Sequence, residues 1–303
     1  MGDPDTVTKA LDALAAGGVR YIDVAQNYGD AEALLGNLGA GKRGFTINTK
    51  DSSMKHIGKE VEERAVQSLQ RLDVSKVDVF FLHHPDTVTP FSEYLPNIDK
   101  LHKQGLFDRF GVSNYPPDLV DKTYQYCKEH GLVLPTVYQG NYNILSRRQE
   151  TVLFPTLRKL GISFQAYSVM AGGFLSKSRD EIAAGAGRFN AQNIFGPIYL
   201  AMYAKPLLLE ALEEWEDIAK AAGCTKGLLA YRWARYHSAL KGEYGDGMII
   251  GGATVDQIRE AAEGINEGPL REEIVQRLEA FWTRVEPESP LDNFTDVISK
   301  RLP

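Results

Sequence analysis

Short apolar runs alternate with longer amphipathic segments along the whole chain, the pattern of parallel strands joined by crossover helices. The runs at 20–24, 45–50, 77–83, 107–112, 136–139, 162–167 and 247–251 read as strands. Between them apolar positions recur at helical spacing over 6–16, 31–38, 59–72, 92–104, 117–130, 147–160, 205–237 (two helices in succession), 255–265 and 272–285. Gly17, Gly39, Gly105, Gly131 and Gly161 fall where a helix takes a left-handed terminal residue. Seven strand–helix units preceded by a helix predict an α/β fold, a (β/α)8 barrel lacking its first strand. A doubly wound sheet would carry Gly-x-Gly-x-x-Gly after its first strand, and the nearest approach, Gly39-Ala40-Gly41-Lys42, follows a helix instead. The stretch 170–203 shows no regular pattern, and a loop that long in a compact domain usually covers a site.

Composition narrows the classes of function. At 303 residues the chain fits one barrel domain spanning 1–303, since barrels of this kind run to roughly 250 residues or more. The net charge of −6 comes without a basic tract, which argues against nucleic acid as the main partner. Cys127 and Cys224 fall in different helices and read as reduced thiols, with neither a disulfide framework nor metal-ligand spacing. Met1-Gly2-Asp3-Pro4-Asp5 lacks a signal-peptide profile, and no apolar run reaches about 18 residues, which places the chain in the cytosol and off the membrane. Asn293-Phe294-Thr295 matches a glycosylation acceptor by chance and carries no weight. Trp215, Trp233 and Trp282 lie on helices and read as core.

Candidate chemistry gathers at strand ends. Asp23 closes the first strand, with Tyr28 just beyond it; Lys50 and His83 close the second and third. A lone polar residue at a strand end is usually a solvated terminus, and Lys50-Asp51 alone would read as a surface ion pair. Four such residues converging on the C-terminal face of a parallel barrel form a proton-transfer set. A tyrosine, with a free pKa of about 10, needs a neighbouring cation to donate a proton near neutral pH. Lys50 supplies that cation, and Asp23 holds it charged.

Tyr21-Ile22-Asp23-Val24-Ala25-Gln26-Asn27-Tyr28-Gly29 resembles the aldo-keto reductase signature in which Asp and Tyr stand five residues apart. Asp78-Val79-Phe80-Phe81-Leu82-His83-His84-Pro85-Asp86 is similar to that family's histidine segment, and Gly111-Val112-Ser113-Asn114-Tyr115 to its nicotinamide turn. Pro135 to Asn143 and Ala166 to Gly173 extend the match in order, and within the superfamily the chain resembles the aflatoxin-aldehyde reductase branch most. The resemblance implies NADPH-dependent reduction of a small-molecule aldehyde or ketone, with no metal. Tyr28 would donate the proton, Lys50 would lower its pKa while paired with Asp23, and His83 would orient the carbonyl. Ser113, Asn114 and Gln139 would hold the carboxamide of the cofactor, and Tyr167 would stack on the nicotinamide. The backbone from Gly172 and Gly173 to Leu175 would approach the pyrophosphate, with Arg188 as a further cofactor contact. Gly251, Gly252, Thr254 and Gln257, opening a helix, would meet the adenosine phosphate. Tyr199 and Met202 match substrate-facing positions.

The departures from the family pattern shape two further expectations. The chain starts after the strand and glycine turn that precede the first helix in the family, and an uncovered strand edge makes a homodimer worth testing. Met202 stands where the branch carries a carboxylate-binding arginine, pointing to an uncharged or bulky apolar carbonyl from a specialised biosynthetic pathway. Ala261 replaces an asparagine near the adenine, and Gln257 an arginine, which weakens the inference of 2′-phosphate selection. Two other readings stay open: a regulatory subunit that binds the nicotinamide cofactor with little or no turnover, and a barrel that has lost cofactor binding.

Overall fold

The computed structural model describes residues 2–53, 57–58, 60–86, 88–193 and 195–298. Among them are seven parallel strands, β1 (Tyr21–Asp23), β2 (Thr46–Asp51), β3 (Val77–Leu82), β4 (Phe107–Ser113), β5 (Pro135–Asn141), β6 (Ser163–Tyr167) and β7 (Gly247–Met248). They pair in sequence order, so each strand's neighbour along the chain is its neighbour in the sheet. The expected strand count and the helix ahead of β1 are both present, that helix running Pro4–Ala16. Asp3 caps it by accepting from the Thr6 amide at 3.0 Å, and Pro4 occupies the first turn, where a missing N–H costs nothing.

Two compact units divide the chain: Met1–Gln139, Thr156–Phe164 and Ala253–Arg259 in one, Gly140–Pro155, Gln165–Gly252 and Glu260–Pro303 in the other. In the first unit Val79 and Phe81 of β3 meet Val137 of β5 in a fully buried cluster. Phe80 and Leu82, on the opposite face of β3, are equally buried. A strand covered on both faces loses the alternation of polar and apolar residues, which is why Val79-Phe80-Phe81-Leu82 is continuously apolar. In the second unit Trp215, on the helix Pro206–Ala222, packs on Phe281 of Glu272–Val285 at 5.6 Å. The Arg147 guanidinium lies 5.5 Å from Trp233 and 5.3 Å from Trp282. Trp215 and Trp233 are fully buried, as core residues should be, while Trp282 is half-buried. Both cysteines are free thiols. No described helix is long and apolar enough to cross a membrane.

Several expected boundaries shift for identifiable reasons. The helix expected over 147–160 breaks into Gln149–Val152 and Phe154–Leu160. Pro155 has no N–H to give, and its ring crowds the carbonyl four residues back, at Thr151. The patternless stretch 170–203 is largely helical, with short turns at Ala171–Ser176, Arg179–Ala183 and Gly187–Phe189 and a helix at Gly196–Tyr203. The first three are too short to show a period, and the last is apolar on every side, so it has no polar stripe to read. Lys59, where the third helix was expected to start, lies outside the described residues; the helix is Val61–Leu72. Gly17 is not left-handed (φ −77°); Gly18 (φ +78°) makes that turn instead.

Candidate active site

Parallel pairing sets β1, β2 and β3 side by side, with Asp23, Lys50 and His83 each two residues further along than the last. β1 pairs with β2 through Asp23 and Asn48, and β2 with β3 through Lys50 and Phe81, then Asp51 and Leu82. The next residue pair is therefore Ser52 and His83. All four members of the proton-transfer set belong to the first unit, and the structure brings them together. Lys50 is wholly buried, with Nζ donating to Asp23 Oδ2 at 2.5 Å and to the Val24 carbonyl at 3.0 Å. The same Nζ stands 5.3 Å from the centre of the Tyr28 ring. The edge-on contact between Tyr28 and His83 spans 5.8 Å. Tyr28 is 45% exposed, the one member of the set open to an incoming molecule.

His83 is held from several sides. Its amide donates to the Asp51 carbonyl at 3.0 Å, and its carbonyl accepts from Asn114 Nδ2 at 2.9 Å. The ring stacks on His84 at 4.4 Å, and Nδ1 lies 2.9 Å from Ser52 Oγ. Burial pushes the His83 pKa well below the usual histidine value, with His84 and Lys50 adding to the effect. The imidazole is therefore neutral near pH 7 and has one N–H to donate.

The three residues expected at the carboxamide also converge. Ser113 ends β4 and pairs with Gln139 of β5. Asn114 follows in the left-handed region (φ +65°), its amide donating to the Gln139 carbonyl at 3.3 Å and its Nδ2 to Ser113 Oγ at 3.0 Å. Gln139 Nε2 donates to Asp23 Oδ1 at 2.8 Å, a link to the Asp23 carboxylate that strand reading alone did not anticipate. Thr254 and Gln257, in the same unit, cap a helix start: Thr254 Oγ1 accepts from the Gln257 amide at 3.2 Å, and Gln257 Oε1 from the Ala253 amide at 2.8 Å.

The second unit holds the other expected contacts. Tyr167 ends β6, and its hydroxyl donates to Asn293 Oδ1, so the residue noticed only as a chance glycosylation match anchors the expected stacking tyrosine. Gly172 and Gly173 take φ +67° and +95°, with the amides of Gly173 and Leu175 turned inward onto the Met170 carbonyl. Leu175 is buried, and its carbonyl accepts from Trp215 Nε1 at 3.0 Å. A Cβ at Gly172 would lie 2.1 Å from Tyr199 Cε1, so glycine there lets the Tyr199 ring close over the turn. Arg188 donates to the Tyr199 hydroxyl at 2.8 Å and lies 5.4 Å from its ring centre. Met202 is buried on the same helix as Tyr199. Gly251 exchanges two hydrogen bonds with the Tyr231 hydroxyl, and Gly252 is exposed. Lys177 was missed, although it follows Gly173 by four residues. Its Nζ donates to the Gly173 carbonyl at 3.3 Å, and its pKa is lowered chiefly by burial, with Arg188 and Lys226 also pushing it down.

The aldo/keto reductase family profile matches residues 2–283. The chain belongs to that family. It is 39% identical over 285 residues to "Oxidoreductase sirO" of Leptosphaeria maculans, covering 92% of this chain and 86% of that protein. It is 36% identical over 290 residues to "Aflatoxin B1 aldehyde reductase member 2" of Rattus norvegicus, covering 90% and 79%. The protein of that name from Homo sapiens is 35% identical over 305 residues, covering 95% and 85%. These relatives place the chain in the aflatoxin-aldehyde reductase branch of an oxidoreductase family built on the (β/α)8 barrel, here with seven strands among the described residues.

Proposed function

We propose that the protein reduces an aldehyde or ketone to an alcohol with NADPH, and that Tyr28 delivers the proton. The observation that carries this reading is the buried Lys50–Asp23 pair beneath an exposed tyrosine, with a neutral histidine at its edge. The residues present fit the cofactor. The buried hydroxyl and amides of Ser113, Asn114 and Gln139 have the donors and acceptors a carboxamide needs. In the second unit Lys177 and Arg188 suit phosphate, and Gly173 leaves backbone open where a Cβ would stand 3.1 Å from Lys177 Nζ. When bound, NADPH supplies the hydride.

This chain's own residues do the rest. Tyr28 and His83 donate hydrogen bonds to the substrate's carbonyl oxygen, and Tyr28 protonates the alkoxide as it forms. Lys50 stabilises the phenolate left behind, and Asp23 with Val24 fixes the ammonium in place. Gln139, bonded to Asp23, ties the carboxamide end of the site to the proton donor. Met202 supports an uncharged, apolar carbonyl, which we assign to a specialised biosynthetic pathway. We read residues 1–303 as one barrel domain, as a family match over residues 2–283 supports.

The test is loss of NADPH absorbance with 4-nitrobenzaldehyde. Tyr28→Phe should lower turnover by roughly 10²–10⁴-fold with NADPH affinity retained. A wild type that binds NADPH but never consumes it would overturn the reading, and a Tyr28→Phe variant as active as wild type would remove Tyr28 as the donor.

A further inference from the structure

His83 can orient a carbonyl only if its single N–H is on the nitrogen that faces the substrate. A neutral imidazole in water divides its proton between the two nitrogens, and the partner of one decides the occupancy of the other. In this chain the partner of Nδ1 is Ser52 Oγ, at 2.9 Å. The contact follows from strand register, since β2 and β3 pair Asp51 with Leu82 and so set residue 52 beside residue 83 as both strands end.

The hydroxyl has a defined direction. The Ser52 amide donates to Gln26 Oε1 at 3.2 Å, and Gln26 Nε2 in turn donates to the Arg64 carbonyl at 3.1 Å and to Ser68 Oγ at 3.0 Å, which locks the residue's backbone. Among the described residues the Ser52 hydroxyl has no acceptor other than His83 Nδ1. With that hydroxyl as the donor, Nδ1 is the acceptor and carries no hydrogen. Stacking on His84, at 4.4 Å and 11° between planes, fixes the plane of the His83 ring. What stacking leaves undecided is which nitrogen carries the hydrogen, and only a hydrogen bond in the ring plane settles that.

We propose that Ser52 is a positioning residue that directs the imidazole N–H of His83 to Nε2, where it donates to the carbonyl oxygen of the substrate. The proposal rests on the carbonyl-reductase reading for its consequence, but the tautomer it assigns exists with or without turnover. Ser52 does not touch the reacting atoms. It acts through His83, and its loss leaves Tyr28, Lys50 and Asp23 in place.

The experiment compares wild type, Ser52→Ala and Ser52→Thr by two readouts. The first is ¹⁵N NMR of histidine-labelled full chain at pH 7.5, with His83→Gln to assign the signals, because protonated and unprotonated ring nitrogens resonate far apart. Wild type should show His83 with the hydrogen on Nε2, Ser52→Ala should show both tautomers exchanging, and Ser52→Thr should restore the wild-type pattern. The second is steady-state reduction of 4-nitrobenzaldehyde. Loss of one such hydrogen bond should lower kcat/KM by about tenfold in Ser52→Ala, with NADPH affinity unchanged and threonine recovering most of the loss. A wild-type His83 protonated on Nδ1, or a Ser52→Ala spectrum identical to wild type, overturns the proposal. If wild type turns over no carbonyl, the reductase reading fails, while the spectra still decide what Ser52 does to His83.

Discussion

Lys50 offers the sharpest separation of folding from catalysis. Lys50→Met keeps the length of the side chain but removes the charge that sits 2.5 Å from Asp23 Oδ2. Asp23, whose side chain is 11% exposed, is then a nearly buried carboxylate supported, among the described residues, only by Gln139 Nε2 on its other oxygen. Removing one partner of a buried ion pair costs about 3–5 kcal/mol, and the remaining amide bond and residual exposure put this case near the lower end. For a cooperatively melting chain of 303 residues, an unfolding entropy of about 2 cal/mol/K per residue converts about 3 kcal/mol into a Tm loss of about 5 °C. The double variant Asp23→Asn/Lys50→Met has no charge left to strand, so it should regain at least about half of that loss. On the proposed mechanism neither variant should regain activity, because both lack the cation assigned to the Tyr28 phenolate; turnover should stay roughly 10²–10⁴-fold down. Thermal melts alongside NADPH consumption read both quantities. A double variant no more stable than Lys50→Met would refute the stranded-charge argument, and a double variant with wild-type turnover would refute the role given to Lys50.

Three other outcomes follow from the geometry. Burial, with Lys50 adding, holds the His84 pKa down to about 4. The unfolded chain, with its histidine near 6.5, therefore binds the proton first, so His84's contribution is complete above about pH 6.5 and falls toward pH 4, by about 2 kcal/mol at pH 5. Urea midpoints at pH 7.5 and 5 should show that drop in wild type and a smaller one in His84→Gln; equal drops would rule out His84 as the source. Gly172→Ala places a Cβ 2.1 Å from Tyr199 Cε1 at a φ of +67°, and should destabilise the chain by about 2 kcal/mol in urea denaturation; an unchanged midpoint would show that the turn relaxes freely. Arg188→Ala should weaken NADPH binding by about tenfold in a fluorescence titration, and an unchanged affinity would argue that Arg188 meets no part of the cofactor.

The sequence alone determined the order and kind of the main elements, because apolar period and helix-ending residues are local signals. It also singled out Asp23, Lys50 and His83 where apolar strands stop, and Tyr28 just beyond the first, and the structure brings those four together. It could not show how Pro155 would divide a helix, nor the apolar helix Gly196–Tyr203, which has no polar face to betray its period. Nor could it show the side-chain partners of the candidate residues. Gln139 reaches Asp23 across 116 positions, Asn293 holds Tyr167 across 126, and Ser52 meets His83 across 31. A side-chain hydrogen bond leaves no periodic trace in the chain, and depends on a register and a rotamer that exist only once the strands have paired.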